Sequence, residues 1–352
     1  MEEGARSFDL ANRIIESLPA VPLEEVGADR NVFEVPSDMG KQVLHLMEYK
    51  GDFLKPCPGT KGYICCGYQI LNIGLNCPLD CSYCILQSYF NMPNLRVFVN
   101  LKEKLGNVLS IIDGNPNRMF RLGTGEFTDS LAIDPITGWS NILLPSFSKR
   151  SNTVLELKTK TTHISNLISS EYRDRIIVSW SLSNPLVRAR DEKGTKTIKE
   201  RIEAARICQS EGFVLGFHFD PLIFHKNWES EYKKTFDLLS AKIDPKGIIW
   251  ISMGSFRYMP ELKAIIRKRH RKTSILDGEF VPGMDGKMRY FKPIRIELYS
   301  FIKEQLDEWS KELGTYLCME SDEVWEKSLG WSPGNSEGLS NYLNERVFRF
   351  FK

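Results

Sequence analysis

Three cysteines, Cys77, Cys81 and Cys84, stand in one short segment, NCPLDCSYCILQSYF at 76–90. Their spacing is C-x3-C-x2-C. A structural zinc site takes four ligands, as a rule in two close pairs, and no second C-x2-C pair occurs in the chain. Three thiolates suit an iron–sulfur cubane with one iron left open, because thiolates are the usual ligands of such clusters. The open iron can accept an amino and a carboxylate group, which a fourth cysteine would prevent. A zinc loop or a loop of buried thiols, each a non-catalytic module, is the competing reading.

Other residues point to the same neighbourhood. The segment GTGE (Gly123, Thr124, Gly125, Glu126) closes the strand that follows the cysteine loop and its helix. Glycines allow close backbone approach, and a glutamate accepts hydrogen bonds from an ammonium. Lys160 and Ser181 end the next two strands, where a cation or hydroxyl can bond a carboxylate or a ribose. The triplet is the signature of the radical S-adenosylmethionine (SAM) superfamily, which the chain resembles. That resemblance implies a [4Fe–4S] cluster on Cys77, Cys81 and Cys84, with SAM on the open iron. Reductive cleavage of SAM would give a 5′-deoxyadenosyl radical that abstracts hydrogen from carbon. It also implies that Tyr83 packs near the adenine, that Glu126 receives the amino group, and that a reductant such as flavodoxin or ferredoxin supplies the electron.

A longer stretch, from about Cys77 to Leu239, resembles the spore photoproduct lyases. The likeness lies in CSYCILQSYF (81–90), VFVN (97–100), TK (159–160), RIEAA (201–205) and GFHFDPLIFHKNWESEY (216–232), where His225 and Trp228 keep a His-x2-Trp spacing. The resemblance implies a partial (β/α)6 barrel and, at its fullest, repair of a pyrimidine dimer in DNA. Two positions depart from it. Phe127 stands about where the lyases have their hydrogen-donor cysteine, and Ile85 where they have a tyrosine after the third cluster cysteine. A small-molecule or peptide substrate is therefore expected rather than DNA.

Of the remaining cysteines, Cys57 and Cys318 are candidate substitute donors, with His225 a candidate contact to substrate. Cys57, Cys65, Cys66 and Cys318 could alternatively hold an auxiliary cluster. Cys208 falls on the apolar face of a helix and reads as a core thiol. His218, Asp129, Asp220 and Arg257 lie on or near strand ends and are candidates for binding a polar substrate.

These side chains need a scaffold, and the pattern supplies one. Strand-like runs at 69–75, 119–125, 152–160, 175–183, 213–222 and 247–254 alternate with helical runs at 101–112, 163–169, 197–210 and 231–241. Such alternation predicts parallel βαβ units and an α/β, TIM-like partial barrel with chemistry at the carboxyl ends of its strands. The expected division is an N-terminal extension with a Cys/Gly/Pro-rich loop (1–67), the barrel (68–255) and a C-terminal extension (256–352). Residues 1 to about 50 read as helical, 55–68 as loop, and Pro293–Leu313 as a long helix.

The 352 residues are 42% hydrophobic and 26% charged, enough to build a core without staples. A net charge of +2 gives no global attraction to nucleic acid or anionic membrane. The basic run Arg267–Lys272 reads as the solvated end of a helix. No leader-like or membrane-spanning stretch is evident, so the expectation is a cytoplasmic protein whose thiols stay reduced.

Overall fold

The computed structural model describes residues 1–27, 40–60 and 62–351. Its main sheet has eight strands: β1 (Leu54–Pro56), β2 (Gln69–Leu71), β3 (Phe120–Gly123), β4 (Thr153–Thr159), β5 (Ile176–Ser181), β6 (Val214–Leu222), β7 (Ile248–Ser255) and β8 (Thr315–Leu317). Strands adjacent in the sheet are consecutive in this series. From β2 to β8 every pairing is parallel, and β1 adds antiparallel to β2. The two edges do not pair with each other, so the curled sheet is an open half-barrel.

Helices bridge the parallel strands: α1 (Leu101–Asp113), α2 (Trp139–Phe147), the single-turn α3 (Ser165–Ile168), α4 (Ile198–Ser210), α5 (Trp228–Ser240), α6 (Pro260–Arg269) and α7 (Lys292–Trp309). The start of α4 is fixed by a capping box, in which Thr197 and Glu200 exchange side-chain and backbone bonds.

Alternation along the strands sorts the side chains. Leu155, Leu157, Val178, Trp180, Leu215, Phe217, Ile251 and Met253 form one buried set of alternate positions. The intervening set is polar: Glu156 and Lys158 on β4, Ser179 and Ser181 on β5, His218 and Asp220 on β6, Ser252 on β7. A parallel sheet covered on both faces is normally apolar throughout. The departure from that rule marks the lumen.

The six expected strands correspond to β2–β7. Two more were not expected, β1 inside the 55–68 passage and β8 beyond the long helix. Each is three residues long; the equally short β2 was visible only because it lies in the longer β-rich run 69–75, whereas β1 runs into a Pro/Gly-rich passage that reads as loop. In the N-terminal segment a helix forms at Asp9–Ser17, but Leu44–Met47 is a strand paired parallel with Leu95–Phe98. Residues 18–27 and 48–50 of the expected helical region are not helical either, and 28–39 lies outside the described residues.

Candidate active site

The three-cysteine loop leaves β2 and is pinned at several points before α1 begins. Asn76 takes up positive φ, and its amide donates to the carbonyls of Met92 and Asn94, both at 2.8 Å. Asp80–Cys81 pairs antiparallel with Glu192–Lys193. Ser82 donates its backbone N–H to Asp191 O at 2.8 Å and its hydroxyl to Asp191 Oδ1 at 2.9 Å. Gln87 Nε2 donates to the carbonyls of Cys81 and Ser82, each at 3.1 Å. These bonds hold the thiols in place without help from a ligand.

Cys81 is buried and Cys77 and Cys84 are half-buried. Burial pushes the Cys77 thiol well up, with Asp129 adding to the shift. Burial likewise pushes Cys81 up to about 12, against the opposing pull of Lys160. A metal group taking these sulfurs must displace protons that the apo site retains. Among the described residues no three His, Cys, Asp or Glu side chains converge closely enough to hold one metal ion. A zinc ion would need sulfurs at about 2.3 Å, whereas a cubane spreads its thiolates over separate irons. The loop therefore fits a cluster better than it fits zinc.

Beside the loop, Lys160 Nζ lies 5.1 Å from the Tyr83 ring centroid. The Tyr83 hydroxyl donates to the buried Glu192, which also pairs with the fully buried Arg201. Burial raises the Glu192 pKa, but Arg201 and Lys160 outweigh it and hold the group at about 2. Arg201 Nη1 donates onward to Ser181 O at 2.9 Å. The predicted residues Tyr83, Lys160 and Ser181 are thus joined through Glu192, which carried no motif in the sequence, and Arg201, which opens the RIEAA segment but was assigned no role there.

The GTGE segment sits across the lumen mouth. Glu126 Oε1 is 2.5 Å from Lys158 Nζ. Burial lowers the Lys158 pKa, but Glu126 reverses this and the net shift is upward. Lys158 was not predicted; its place two residues before Lys160 on β4 could have indicated it. Thr124 Oγ1 donates to Ser130 Oγ at 2.7 Å. A Cβ on Gly123 would fall 1.2 Å from the Tyr68 hydroxyl, and one on Gly125 would meet Lys158 Cβ at 2.9 Å. Gly123 therefore makes room for Tyr68, whose buried hydroxyl has no hydrogen-bond partner among the described residues. A partnerless hydroxyl beside the strand end suits a site that receives a polar ligand.

Deeper in the lumen, Glu156 Oε1 is 2.8 Å from His218 Nε2 and accepts from Trp250 Nε1 at 3.0 Å and from the Ser179 hydroxyl. A cavity of about 10 Å³ adjoins it, lined partly by Tyr68, Arg121 and Tyr316. A larger groove of about 570 Å³ runs between Tyr63 and the starts of the helices at Asp322 and Ser336, and no triplet cysteine lines it.

The family model for spore photoproduct lyase matches residues 66–317. The chain belongs to the spore photoproduct lyase family. This is a family of radical SAM enzymes, and its cofactors are a [4Fe–4S] cluster and SAM. The spore photoproduct lyase of Bacillus subtilis (strain 168) is 27% identical over 207 residues, covering 58% of this chain and 60% of that protein. The lyase of Geobacillus sp. (strain Y412MC61) is 24% identical over 206 residues, with coverage of 58% and 60%. The chain thus matches about 60% of the length of these relatives. A solved lyase mutant with dinucleoside spore photoproduct superposes with a TM-score of 0.81, covering 90% of this chain and 97% of that one at 20% identity. A second, with bound AdoMet and the same dinucleoside, gives 0.79 over 91% and 97%, also at 20% identity. At this identity the likeness is one of fold.

Within the lyase fold the remaining candidates separate. Burial raises Cys57 to about 12, with Glu126 the next contributor, which sets Cys57 near the mouth. Cys318 follows β8, and its sulfur is 3.5 Å from Arg257 Nη2. Arg257 in turn grips Asp220 through two bonds of 3.1 and 3.2 Å. His225 stands apart, with Nε2 2.9 Å from Asn184 Nδ2 and Nδ1 2.8 Å from Lys226 O. Asp129 accepts from the backbone of Leu131, Ala132 and Lys160 and from the Thr159 hydroxyl, which fixes the end of β4. Phe127 packs on Tyr89 at 5.9 Å and Phe90 at 6.0 Å between centroids. Cys208 is fully buried in the core.

The basic run is exposed at Arg267, Lys268, Arg271 and Lys272, as expected of a solvated helix end, but its two middle residues are held. Arg269 Nη2 is 3.0 Å from Asp80 Oδ1, its Nη1 donates to Gln87 Oε1, and His270 Nε2 lies 3.0 Å from the same oxygen. Arg269 and His270 therefore fasten the end of α6 to the cysteine loop, while the rest of the run stays exposed.

Proposed function

We propose that this chain is a radical SAM enzyme that reductively cleaves SAM and acts on a substrate held at the mouth of the half-barrel. When bound, the cluster and SAM supply a 5′-deoxyadenosyl radical able to take hydrogen from an unactivated carbon. The observation that supports this reading is the convergence of the pinned Cys77, Cys81 and Cys84 loop with Lys160 beside Tyr83 and Glu126 held by Lys158.

Each residue then has a task. Cys77, Cys81 and Cys84 would ligate the cluster. Glu126, held by Lys158, would accept the ammonium of SAM, with Gly123, Thr124 and Gly125 giving the backbone close approach. Lys160 would meet the carboxylate or ribose, Tyr83 would flank the adenine, and Ser181 would bond from β5. The closely packed lumen below keeps water from the reacting centre.

The two departures from the lyase pattern, Phe127 and Ile85, favour a small-molecule or peptide substrate over lesion DNA. Cys57 and Cys318 are the thiols this chain offers for returning hydrogen. Burial keeps both protonated, the form a hydrogen-atom donor requires. A cytoplasmic setting, with a flavodoxin or ferredoxin as reductant, completes the proposal.

The test is anaerobic reconstitution followed by dithionite reduction with SAM. Formation of 5′-deoxyadenosine that Cys81→Ala abolishes supports the reading, and its absence from the wild-type protein overturns it. Adding dinucleoside spore photoproduct to the same reaction decides the substrate class. Release of thymidines would favour lesion repair, the second reading that family membership supports.

A further inference from the structure

The helix that fastens to the cysteine loop also presents a face that the site chemistry does not use. Along α6 and just beyond it, Lys263, Arg267, Lys268, Arg271 and Lys272 are exposed. None of the five has an ion-pair partner among the described residues. In a chain of net charge +2 this is a concentrated positive field. The short helix Leu86–Tyr89, which follows Cys84 directly, packs against α6. Beside it Ile85 is 40% and Tyr89 52% exposed. Cys84 itself is only half-buried, so a thiol of the loop comes near the surface beside this cationic and apolar patch.

Electron transfer weakens steeply with distance, so a protein donor must dock where a cluster ligand lies close to solvent. Redox partners bind through small, transient interfaces, steered by opposite charge. We infer that the exposed cations of Lys263–Lys272, together with Ile85 and Tyr89, form the docking surface for an acidic one-electron carrier protein of the flavodoxin or ferredoxin kind. The carrier loses one electron, the iron–sulfur group gains it, and no atom is transferred. Nucleic acid is the other polyanion to consider. The place of the patch favours a redox protein, because the helix Leu86–Tyr89 that packs on α6 begins two residues after Cys84, a thiol of the cysteine loop. This inference rests on the radical SAM reading.

The experiment uses the reconstituted full chain and a purified acidic flavodoxin. The variant K268E/R271E/K272E leaves Arg269 and His270, the anchors of the loop, intact. A matched variant reverses the exposed Lys104, Lys149 and Lys311 on other elements. Binding is read from fluorescence anisotropy of labelled flavodoxin, and reduction from flavodoxin-driven 5′-deoxyadenosine formation. The expected result is at least tenfold weaker binding and tenfold slower flavodoxin-driven turnover for the first variant only. Its dithionite-driven turnover stays at the wild-type level, and wild-type binding weakens as salt rises. Equal flavodoxin binding and reduction in both variants overturn the docking surface while leaving the radical SAM reading intact. Loss of binding to a labelled DNA duplex, with flavodoxin binding unchanged, overturns it in favour of a nucleic-acid surface. Absence of dithionite-driven product from the wild-type protein overturns the underlying reading, and the anisotropy result then still decides whether the surface binds the carrier.

Discussion

Replacing Glu156 by Gln tests whether the lumen floor is held by a buried charge. The carboxylate is 2% exposed and takes donors from His218, Trp250 and Ser179 on one oxygen. Burial raises its pKa, but His218 and the Ser179 hydroxyl outweigh burial and bring it from 4.5 to about 2. Each pH unit of such a difference corresponds to about 1.4 kcal/mol, so the group contributes about 3 kcal/mol at neutral pH. Because the folded value is the depressed one, this contribution is complete above about pH 4.5 and is lost as pH falls toward 2. Urea denaturation of wild type and Glu156→Gln should therefore differ by about 3 kcal/mol at pH 7. The gap should narrow progressively below about pH 4.5, where the unfolded wild-type chain takes up a proton that the folded one resists. A gap under about 1 kcal/mol at pH 7, or one that does not change with pH, would refute the reasoning, since only an ionised, bonded carboxylate produces both features.

Three further outcomes are expected. Gly123→Ala should destabilise the fold by about 1–3 kcal/mol through overpacking against Tyr68, and Tyr68→Ala in the same chain should relieve most of the loss in a urea titration. Arg269→Met should speed loss of iron to a chelator about tenfold, as expected for a residue that orients the ligand loop, while circular dichroism stays unchanged. Glu126→Gln should weaken SAM binding about tenfold by calorimetry, because a charged hydrogen bond is worth about 1.5–3 kcal/mol.

Much of this architecture was legible in the chain. The triplet stood out because its spacing is local, and the strands β2–β7 because each repeats a two-residue alternation or an apolar run between helices. β1 and β8 have three residues each and no longer β-rich run around them, unlike the equally short β2 within 69–75, and so carry too little pattern to be seen. The same limit applies to the site. Cys77, Cys81, Cys84 and Glu126 sit in contiguous motifs, whereas Glu192 meets Tyr83 from 109 residues away and brings Arg201 with it, and only the fold unites them. The bonds by which Asp129 fixes the end of β4 could not be read from the sequence, because a carboxylate at a strand end serves a turn as well as a ligand. The basic run was legible as an exposed helix end at Arg267, Lys268, Arg271 and Lys272, but charge alone does not disclose that Arg269 has Asp80 and Gln87 as partners.

The most direct measurement is electron paramagnetic resonance of the anaerobically reconstituted, dithionite-reduced protein, recorded with and without SAM. The account predicts a reduced [4Fe–4S] signal that shifts when SAM is added and is absent from Cys81→Ala. A spectrum indifferent to SAM, or a protein that takes up only tetrahedral zinc, would contradict it.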